Sequence, residues 1–538
     1  MYPPSSSAPE LAVSLRSPLM LAALAAVFLG AVDLTIIATI LPTMIGDLGI
    51  NTADVDRYIW IVNGYLIAYI VAIPLFGRLS DVTGRVPVFA ISLVLFAVGA
   101  MICALADSLS GIVVGRTLQG AGGGALLPAA LALAADSFSG RSRLGAIGVI
   151  TAVDTLGWVT GPLWGAAIVA LLPNVDEAWR WVFWLHLPFA AICAVALFTG
   201  QPIGQKTLRF GPTRDLDLLG ALLLAAILTS LNLAVSSGSE LGVATDDGLR
   251  ALGGTPNPLA RYASFLLLVA AAGTLALVIW QRRTGTPLLP VRLFRVHGFN
   301  AGMIANLLLG CALMVGMVNI PTLVALVVSP DDVSNISALM LAPFTVCIAS
   351  GSLLASHIAI RLGAAAAVVG VALIALGYIA VAVVLSPDDY VRAIIGLVAA
   401  GLGFGIVLTP LSGRALSMAD ASERGAAASL SLVARLLGMT LGISALTAIG
   451  VRRLQELTGR VEPVTRGQGE STAAFLERQR QYIEEHAVPL AVQVLAETFW
   501  IAAVIAALSL IPLWFVWERR RYDASSADRN VASASATD

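Results

Sequence analysis

The chain is 538 residues long, 58% hydrophobic and only 12% charged, with a formal net charge of −1. A water-soluble domain carries about a quarter charged residues, so this composition excludes a soluble globule, and with it a disordered, collagen-like or disulfide-stapled class. A helix that crosses a bilayer takes roughly 20 apolar residues, so the apolar content suffices for about 14 crossings and implies an all-α, polytopic membrane protein.

Fourteen apolar segments are predicted, near 18–41, 58–77, 87–106, 112–135, 144–171, 181–199, 216–236, 262–280, 298–326, 335–356, 364–385, 393–412, 425–451 and 488–516. Residues 1–17 are Pro/Ser-rich. The first segment is too long for a signal-peptide core and no small-residue cleavage signature follows it, so it is expected to stay as an uncleaved helix. An even count puts both termini on one side. With the termini inside, the inner segments hold 19 Lys/Arg and the outer ones 11, six of these in the single long loop 452–487. Short loops carry the orientation signal, so both termini are expected in the cytoplasm, in the cell's inner (plasma) membrane. Acidic residues show the reverse bias, 11 inside and 19 outside. Cys103, Cys193, Cys311 and Cys347 lie within apolar runs and read as small hydrophobes.

Three connections are long: 200–215 and 281–297, which are basic and inner, and 237–261, which is Gly-rich and outer. They divide the chain into a six-helix bundle over 1–199 and a two-helix insert over 200–297. A second six-helix bundle follows over 298–522, including an outer hairpin at about 452–487, and then a cytoplasmic tail over 523–538 expected to be disordered.

Five charges remain in the membrane: Asp33, Arg116, Asp154, Arg435 and Glu497. Each costs at least ~2.5 kcal/mol at a helix centre unless paired or hydrated. At about 1.5 Å per residue, Asp33 sits ~22 Å and Asp154 and Arg435 ~15 Å from the inner ends of their helices. Burial favours a neutral carboxyl and a nearby arginine favours the ionised one. Asp33 and Asp154 are therefore candidate proton carriers, with Arg435 as a candidate partner in the second half. Arg116 lies nearer the outer surface, where the alternative is an interfacial side chain reaching for water. Glu497, near an outer helix end, reads as hydrated. Asn63, Tyr65, Gln119, Trp158, Asn306 and Asn319 are candidates to line a cavity; helix-to-helix contact is the alternative. Trp179, Arg180, Trp181 and Trp184 are expected to form an aromatic belt at the outer start of the sixth segment.

Two motifs have a local physical reading. In Gly77-Arg78-Leu79-Ser80-Asp81-Val82-Thr83-Gly84-Arg85 the glycines allow a tight turn. Asp81 and Arg85 can pair with each other or with a helix end; a plain cytoplasmic turn is the alternative. Gly157, Gly161 and Gly165 recur every fourth residue around Pro162, a spacing that lets two helices approach closely while the proline loosens the backbone. These stretches resemble, in order along the chain, motifs of the major facilitator superfamily. Arg116-Thr117-Leu118-Gln119-Gly120-Ala121-Gly122 and Asp33-Leu34-Thr35 with Pro42 agree with them. The helix-five and helix-one stretches, with fourteen segments, resemble its drug:proton antiporter branch. The place corresponding to the Gly77–Arg85 loop in the second half, Gly351 to Gly363, keeps Arg361 but has no acid. The resemblance implies two six-helix bundles rocking about a central cavity, with two linker helices between. It implies gating by Gly77, Asp81, Gly84 and Arg85, with Asp81 docking on a helix of the other half. It further implies a hinge and seal between the halves at Gly157, Gly161, Pro162 and Gly165, and proton transfer at Arg116. The chain departs from the pattern in carrying Val82 and Val86 where basic residues are common.

In the outer loop, Phe475, Leu476, Gln479, Tyr482 and Ile483 form a helical stripe, which predicts a helix capped by Ser471 or Thr472. With the preceding segment running on through Arg452 to Leu457, this predicts a helical hairpin beyond the outer face. The extension, and stretches such as Pro410-Leu411-Ser412, resemble more loosely the mycobacterial exporters of triacylglycerides and drugs that work with a periplasmic lipoprotein carrier. A solvated loop helix with no partner is the alternative.

Other classes find little support. Gly204-Gln205-Lys206-Thr207 lacks the Gly-Lys pair and upstream glycine of a P-loop. His186, His297, His357 and His486 are far apart in sequence, which leaves no metal cluster and no enzyme active site. Buried acids without a filter-like ring of polar residues favour alternating access over a pore. The expected function is proton-coupled export of lipids or drugs. The expected partners are the lipophilic cargo, protons, membrane lipids and a periplasmic lipoprotein. No cofactor, metal or nucleic acid is expected, and the chain is expected to be a monomer.

Overall fold

The computed structural model describes residues 17–48, 60–172, 177–199, 217–238, 262–285, 287–290, 292–328, 333–386, 390–458 and 488–516, with scattered positions between 471 and 486. Every regular element among them is helical. The long helices, in chain order, are α1 (Pro18–Asp47), α2 (Trp60–Thr83), α3 (Arg85–Leu105), α4 (Leu109–Ser137), α5 (Gly140–Leu171), α6 (Arg180–Thr199) and α7 (Leu218–Gly238). They continue as α8 (Ala263–Arg283), α9 (His297–Val327), α10 (Val333–Leu362), α11 (Ala365–Val384), α12 (Ala393–Ser417), α13 (Arg424–Thr458) and α14 (Val488–Leu508). Twelve helices among the described residues are long and apolar enough to cross a membrane; α5 is not among them, and in α7 the apolar stretch Leu219–Ala234 is shorter. Twelve spans thus stand on length and composition, and the fourteen-span count goes beyond them.

Prolines 74, 128, 188, 321, 343 and 410 all sit inside helices. Membrane helices tolerate them because neighbouring groups re-satisfy the freed backbone. Breaks between helices are made by particular residues. Ser108 caps α4, its hydroxyl accepting from the Gly111 amide at 3.2 Å. Gly84, at φ 98°, separates α2 from α3, and Gly363, at φ 57°, separates α10 from α11. Both backbone conformations favour glycine.

The packing is duplicated. In the first six helices α4 packs on α2 and α3, α1 on α5 and α6, and α3 on α6. In the last six, α12 packs on α10 and α11, α9 on α13 and α14, and α11 on α14. The two sets meet through α5 against α10 and α13 against α2, contacts that exchange under the same relation. The repeat that is eroded in sequence is therefore intact in packing. Helices α7 and α8 pack on each other, and α7 also touches α2 and α13. Their anchor is Asp217, 7% exposed. Its carboxylate accepts from Gly220 N at 2.8 Å, Trp280 Nε1 at 2.8 Å, Gln281 Nε2 at 2.6 Å and Leu288 N at 3.3 Å.

At the face opposite Gly84, the predicted aromatic belt divides. Trp181 is exposed, whereas Trp179 is buried and donates from Nε1 to Asp47 at 2.8 Å, because its ring fills the joint between α1 and α6. Arg180 binds the carbonyls of Ala104 and Ala106, and its hydrogen bonds to Glu177 hold that carboxyl below the usual carboxylate range. Glu497 is not simply hydrated: it accepts from Arg453 Nε at 2.9 Å, tying α14 to α13. The outer hairpin predicted over 452–487 lies largely outside the described residues. Within them, α13 runs on to Thr458 and the Ser471 hydroxyl accepts from Ala474 N at 3.2 Å, as a capping residue would.

Helix α4 is the most enclosed, and glycines let α2 reach it. A Cβ on Gly124 would lie 2.3 Å from the Tyr69 carbonyl oxygen, and one on Gly120 2.4 Å from that of Tyr65. Gly124→Val should therefore force α2 off α4 and cost about 1–3 kcal/mol, the usual cost of overpacking. Thermal unfolding in detergent would register this as a lowered transition. Gly145→Ala, where nothing lies within 4 Å of the added carbon, should leave the transition unmoved.

Candidate functional site: two buried charge clusters and a latch

The first cluster lies inside the first six helices. Asp33 on α1, Arg116 and Gln119 on α4, His186 on α6 and Tyr65 on α2 are each at most 2% exposed. Arg116 Nη1 donates to both carboxylate oxygens of Asp33 at 3.0 Å and to Gln119 Oε1 at 2.8 Å. Its guanidinium also lies 4.0 Å above the Tyr65 ring centroid. Gln119 Nε2 reaches His186 Nδ1 at 3.4 Å, and the same ring nitrogen is 3.7 Å from Asp33 Oδ1. Arg116 is thus no interfacial side chain reaching for water; its charge is answered entirely by protein. A buried pair of this kind is costly to break, about 3–5 kcal/mol when one partner is removed.

The second cluster lies where the two sets of helices meet. Asp154 comes from α5, Arg435 from α13, Asn306 from α9 and Ser412 from α12. Arg435 donates to Asn306 Oδ1 from Nε at 3.2 Å and Nη2 at 3.1 Å, and to the Ser412 hydroxyl at 3.2 Å. Asn306 in turn donates to the Gly302 carbonyl at 3.0 Å. The arginine is therefore held by the second half. Asp154 feels its charge, but no ion pair within 4 Å joins them among the described residues. Two cavities of about 20 Å³ each share Thr151, Asp154 and Arg435 as wall. One extends toward the Gly84 face along Leu131, Leu416 and Ala428; the other extends away from it along Trp158, Leu313 and Met317. Each is large enough for a water molecule. Tyr65 of the first cluster stacks at 5.8 Å on Tyr69, one turn further along α2, and Tyr69 in turn feels the charge of Asp154.

The third arrangement closes the Gly84 face. Asp81, at the end of α2, accepts from the amides of Gly425 and Ala426, each at 2.9 Å. These are donors of the first turn of α13 that have no partner within the helix, where helix dipole and free N–H groups favour an anion. Arg85 pairs with Asp81 and, at 2.9 Å, with Asp136, which also binds Arg424 at 2.8 Å. The Asp81 side chain has no exposure while Asp136 retains 32%. Exposed pairs contribute about 0–1 kcal/mol and a partly buried helix-end charge up to ~2 kcal/mol, so Asp81 dominates. A Cβ on Gly77 would lie 2.7 Å from the Gly425 carbonyl oxygen, so the contact of α2 with α13 needs that glycine.

Other expected site residues fall elsewhere. Gly157 and Gly161 face α1 of their own bundle: their added carbons would meet Ala31 Cβ at 2.5 Å and Thr35 Oγ1 at 2.1 Å. The close approach that this spacing permits is made within the first half, not between the halves. Gly165 is buried, and Pro162 lies within α5. Asn319 donates to Thr498 at 2.5 Å and joins α9 to α14. Asn63 is half-buried and belongs to neither cluster. Trp158 is among the residues that line the second cavity. Sequence reasoning missed His186 and Ser412. A single histidine within the otherwise apolar run from Trp181 to Leu197 was the available signal, but histidines were weighed only as metal ligands. Among the described residues no group of three His, Cys, Asp or Glu could hold a metal.

Comparison with known proteins agrees with this architecture. The family model described as the Major Facilitator Superfamily matches residues 23–443. A triacylglyceride transporter of Mycolicibacterium hassiacum is 33% identical over 517 residues, covering 94% of this chain and 92% of the relative. A triacylglyceride transporter of Mycobacterium tuberculosis is 35% identical over 455 residues, covering 80% of this chain and 82% of the relative. Among solved structures, a proton:xylose symporter superposes with a TM-score of 0.57 at 15% identity, covering 93% of this chain and 95% of that one. A human organic anion transporter does so with a TM-score of 0.56 at 15% identity, covering 93% and 100%. The duplicated six-helix packing, the Asp81 contact and these matches agree: the chain belongs to the major facilitator superfamily.

Proposed function

We propose that the chain is a proton-coupled exporter of lipophilic or amphipathic molecules, lipids such as triacylglycerides or drugs, working by alternating access as a monomer. It is oriented with both termini in the cytoplasm of the inner membrane. The observation that carries the mechanism is Asp154, a buried acid between two water-sized cavities that point to opposite faces, with its arginine anchored on the other half. A charged carboxylate draws Arg435 and the halves together; a protonated one releases that attraction, so the occupancy of Asp154 and the set of the halves are linked. Asp33, held by Arg116, is the second carrier. The Asp81 contact with α13 closes the cytoplasmic face, and Gly157, Gly161, Pro162 and Gly165 let α5 flex against α1. The bundles 1–199 and 298–522 rock about a central cavity, with the insert 200–297 between them. The names of the relatives support lipid as cargo, with the outer hairpin at 452–487 passing it to a periplasmic lipoprotein.

Proteoliposomes offered a triacylglyceride and a cationic dye side by side, with and without an inward proton gradient, test this reading. Asp33→Asn and Asp154→Asn should each reduce gradient-driven flux by about tenfold or more, a change equal to ~1.4 kcal/mol. Unchanged flux in both would remove proton coupling, and no flux of either compound under any gradient would point to a scaffold. Deleting 458–480 should abolish lipid flux; if lipid flux survives, a drug antiporter without a lipid role is the better description. For the latch, Asp81→Asn removes the charge facing α13. Alkylation from the Gly84 face of a cysteine placed at Ser431, in the first cavity, should then speed up about tenfold for a loss near 1.4 kcal/mol.

A further inference from the structure

Gln119 fixes the chemistry of His186. Arginine can only donate, so the Gln119 oxygen that meets Arg116 at 2.8 Å turns the amide nitrogen toward His186 Nδ1, 3.4 Å away. An amide nitrogen also only donates. Nδ1 is therefore an acceptor, and the ring proton sits on Nε2. That nitrogen is buried without a hydrogen-bond partner, and the Phe96 and Phe183 rings flank the imidazole at 5.5 and 6.3 Å. The 3.7 Å between Nδ1 and Asp33 Oδ1 is then a lone pair facing a lone pair, held just beyond hydrogen-bonding distance.

Protonation reverses that contact. When Asp33 takes a proton from water, one O–H bond forms, the carboxylate becomes a neutral acid, and no bond of the protein breaks. The new hydroxyl needs an acceptor in a site without room for bulk water. Gln119 Oε1 is held at 2.8 Å by the Arg116 charge, whereas the single Nδ1 lone pair is engaged only by the long 3.4 Å contact from Gln119 Nε2. Nδ1 also lies within an ångström of hydrogen-bonding distance from Asp33, so it can exchange the amide donor for the acid hydroxyl. We infer that His186 is the acceptor that receives the protonated Asp33 hydroxyl, and that it thereby sets the acidity at which the Asp33–Arg116 pair lets go. The titratable and charged groups facing this position are Asp33 from α1, Tyr65 from α2, Cys103 from α3 and Arg116 from α4. The Tyr65 hydroxyl also stands close to Asp33 but carries its own proton to place, whereas His186 Nδ1 presents a lone pair with no proton. The inference deepens the proton-coupled reading and rests on it; its role for His186 is positioning.

Infrared difference spectra of the purified full-length chain, taken through a pH titration, read the protonated carboxylic C=O band directly. The Asp33 band is the one missing in Asp33→Asn. His186→Leu should move its midpoint toward acid by about one pH unit, the equivalent of one net hydrogen bond. His186→Phe, acceptor-free but ring-sized, should move it the same way should the leucine variant fail to fold. His186→Asn, whose Oδ1 replaces Nδ1, should restore it, and the pH midpoint of transport in proteoliposomes should follow. A band that titrates at the same pH in all three variants overturns the inference while leaving coupling intact. A spectrum with no band lost in Asp33→Asn overturns both. Flux that ignores the gradient while the band shifts as expected overturns the coupling reading alone.

Discussion

A charge placed in hydrocarbon must find its counterpart within the protein, and this requirement organises the chain more than any other. The first cluster meets it by direct pairing of its two charges, Arg116 donating to both oxygens of Asp33, within a site exposed by 2% or less. The second meets it partly: Arg435 is satisfied by Asn306 and Ser412, while Asp154 faces the cavities. A directly paired charge is held more firmly than one that faces a cavity, because an ionised group without a direct partner gains most from a change in its surroundings. That contrast separates the interior of a bundle from the surface between bundles.

The helices approach closely enough for such contacts because small residues line the seams. Lipid offers little hydrophobic drive for one helix to leave it and join another, so backbone proximity and polar contacts do the work. Gly120 and Gly124 seat α2 on α4, which brings Tyr65 over Arg116. Gly157 and Gly161 seat α5 on α1, with Thr35 donating to the Trp158 carbonyl at 3.0 Å. Without these approaches the buried charges would be separated by side chains and left unpaired.

Much of this was legible in the sequence. The helix positions follow from apolar length, and the five membrane charges follow from subtraction once loops are assigned. Asp81 and Arg85 could be expected to meet each other or a helix end. Which end it was could not be read, because α13 is more than 300 residues away and only folding brings its amides to Asp81. The glycine spacing around Pro162 signalled a close helix contact but not its partner, since a smooth face fits α1 as well as a helix of the other half. His186 was hidden by the same lack of three-dimensional address: a lone imidazole in an apolar helix means nothing until Asp33 is found beside it. Glu497 read as hydrated because its partner, Arg453, lies on another helix.

The duplication is exact enough in packing to show where it fails in chemistry. Gly84 and Gly363, both at positive φ, stand at equivalent breaks in the two halves, but the loop ending at Gly84 carries Asp81 and the one ending at Gly363 has no acid. The seam between α2 and α13 is consequently closed by ions, whereas the related seam between α5 and α10 carries no ion pair among the described residues and relies on contacts such as Gly148 against the Ser352 carbonyl. Ionic strength weakens charge contacts where solvent reaches them and leaves backbone contacts untouched. Two seams that internal symmetry would make equivalent thus answer to different variables. Salt reaches the Asp136 pairs with Arg85 and Arg424 at one edge, where the buried Asp81 contact resists it, while the other edge, without an ion pair among the described residues, is indifferent to it.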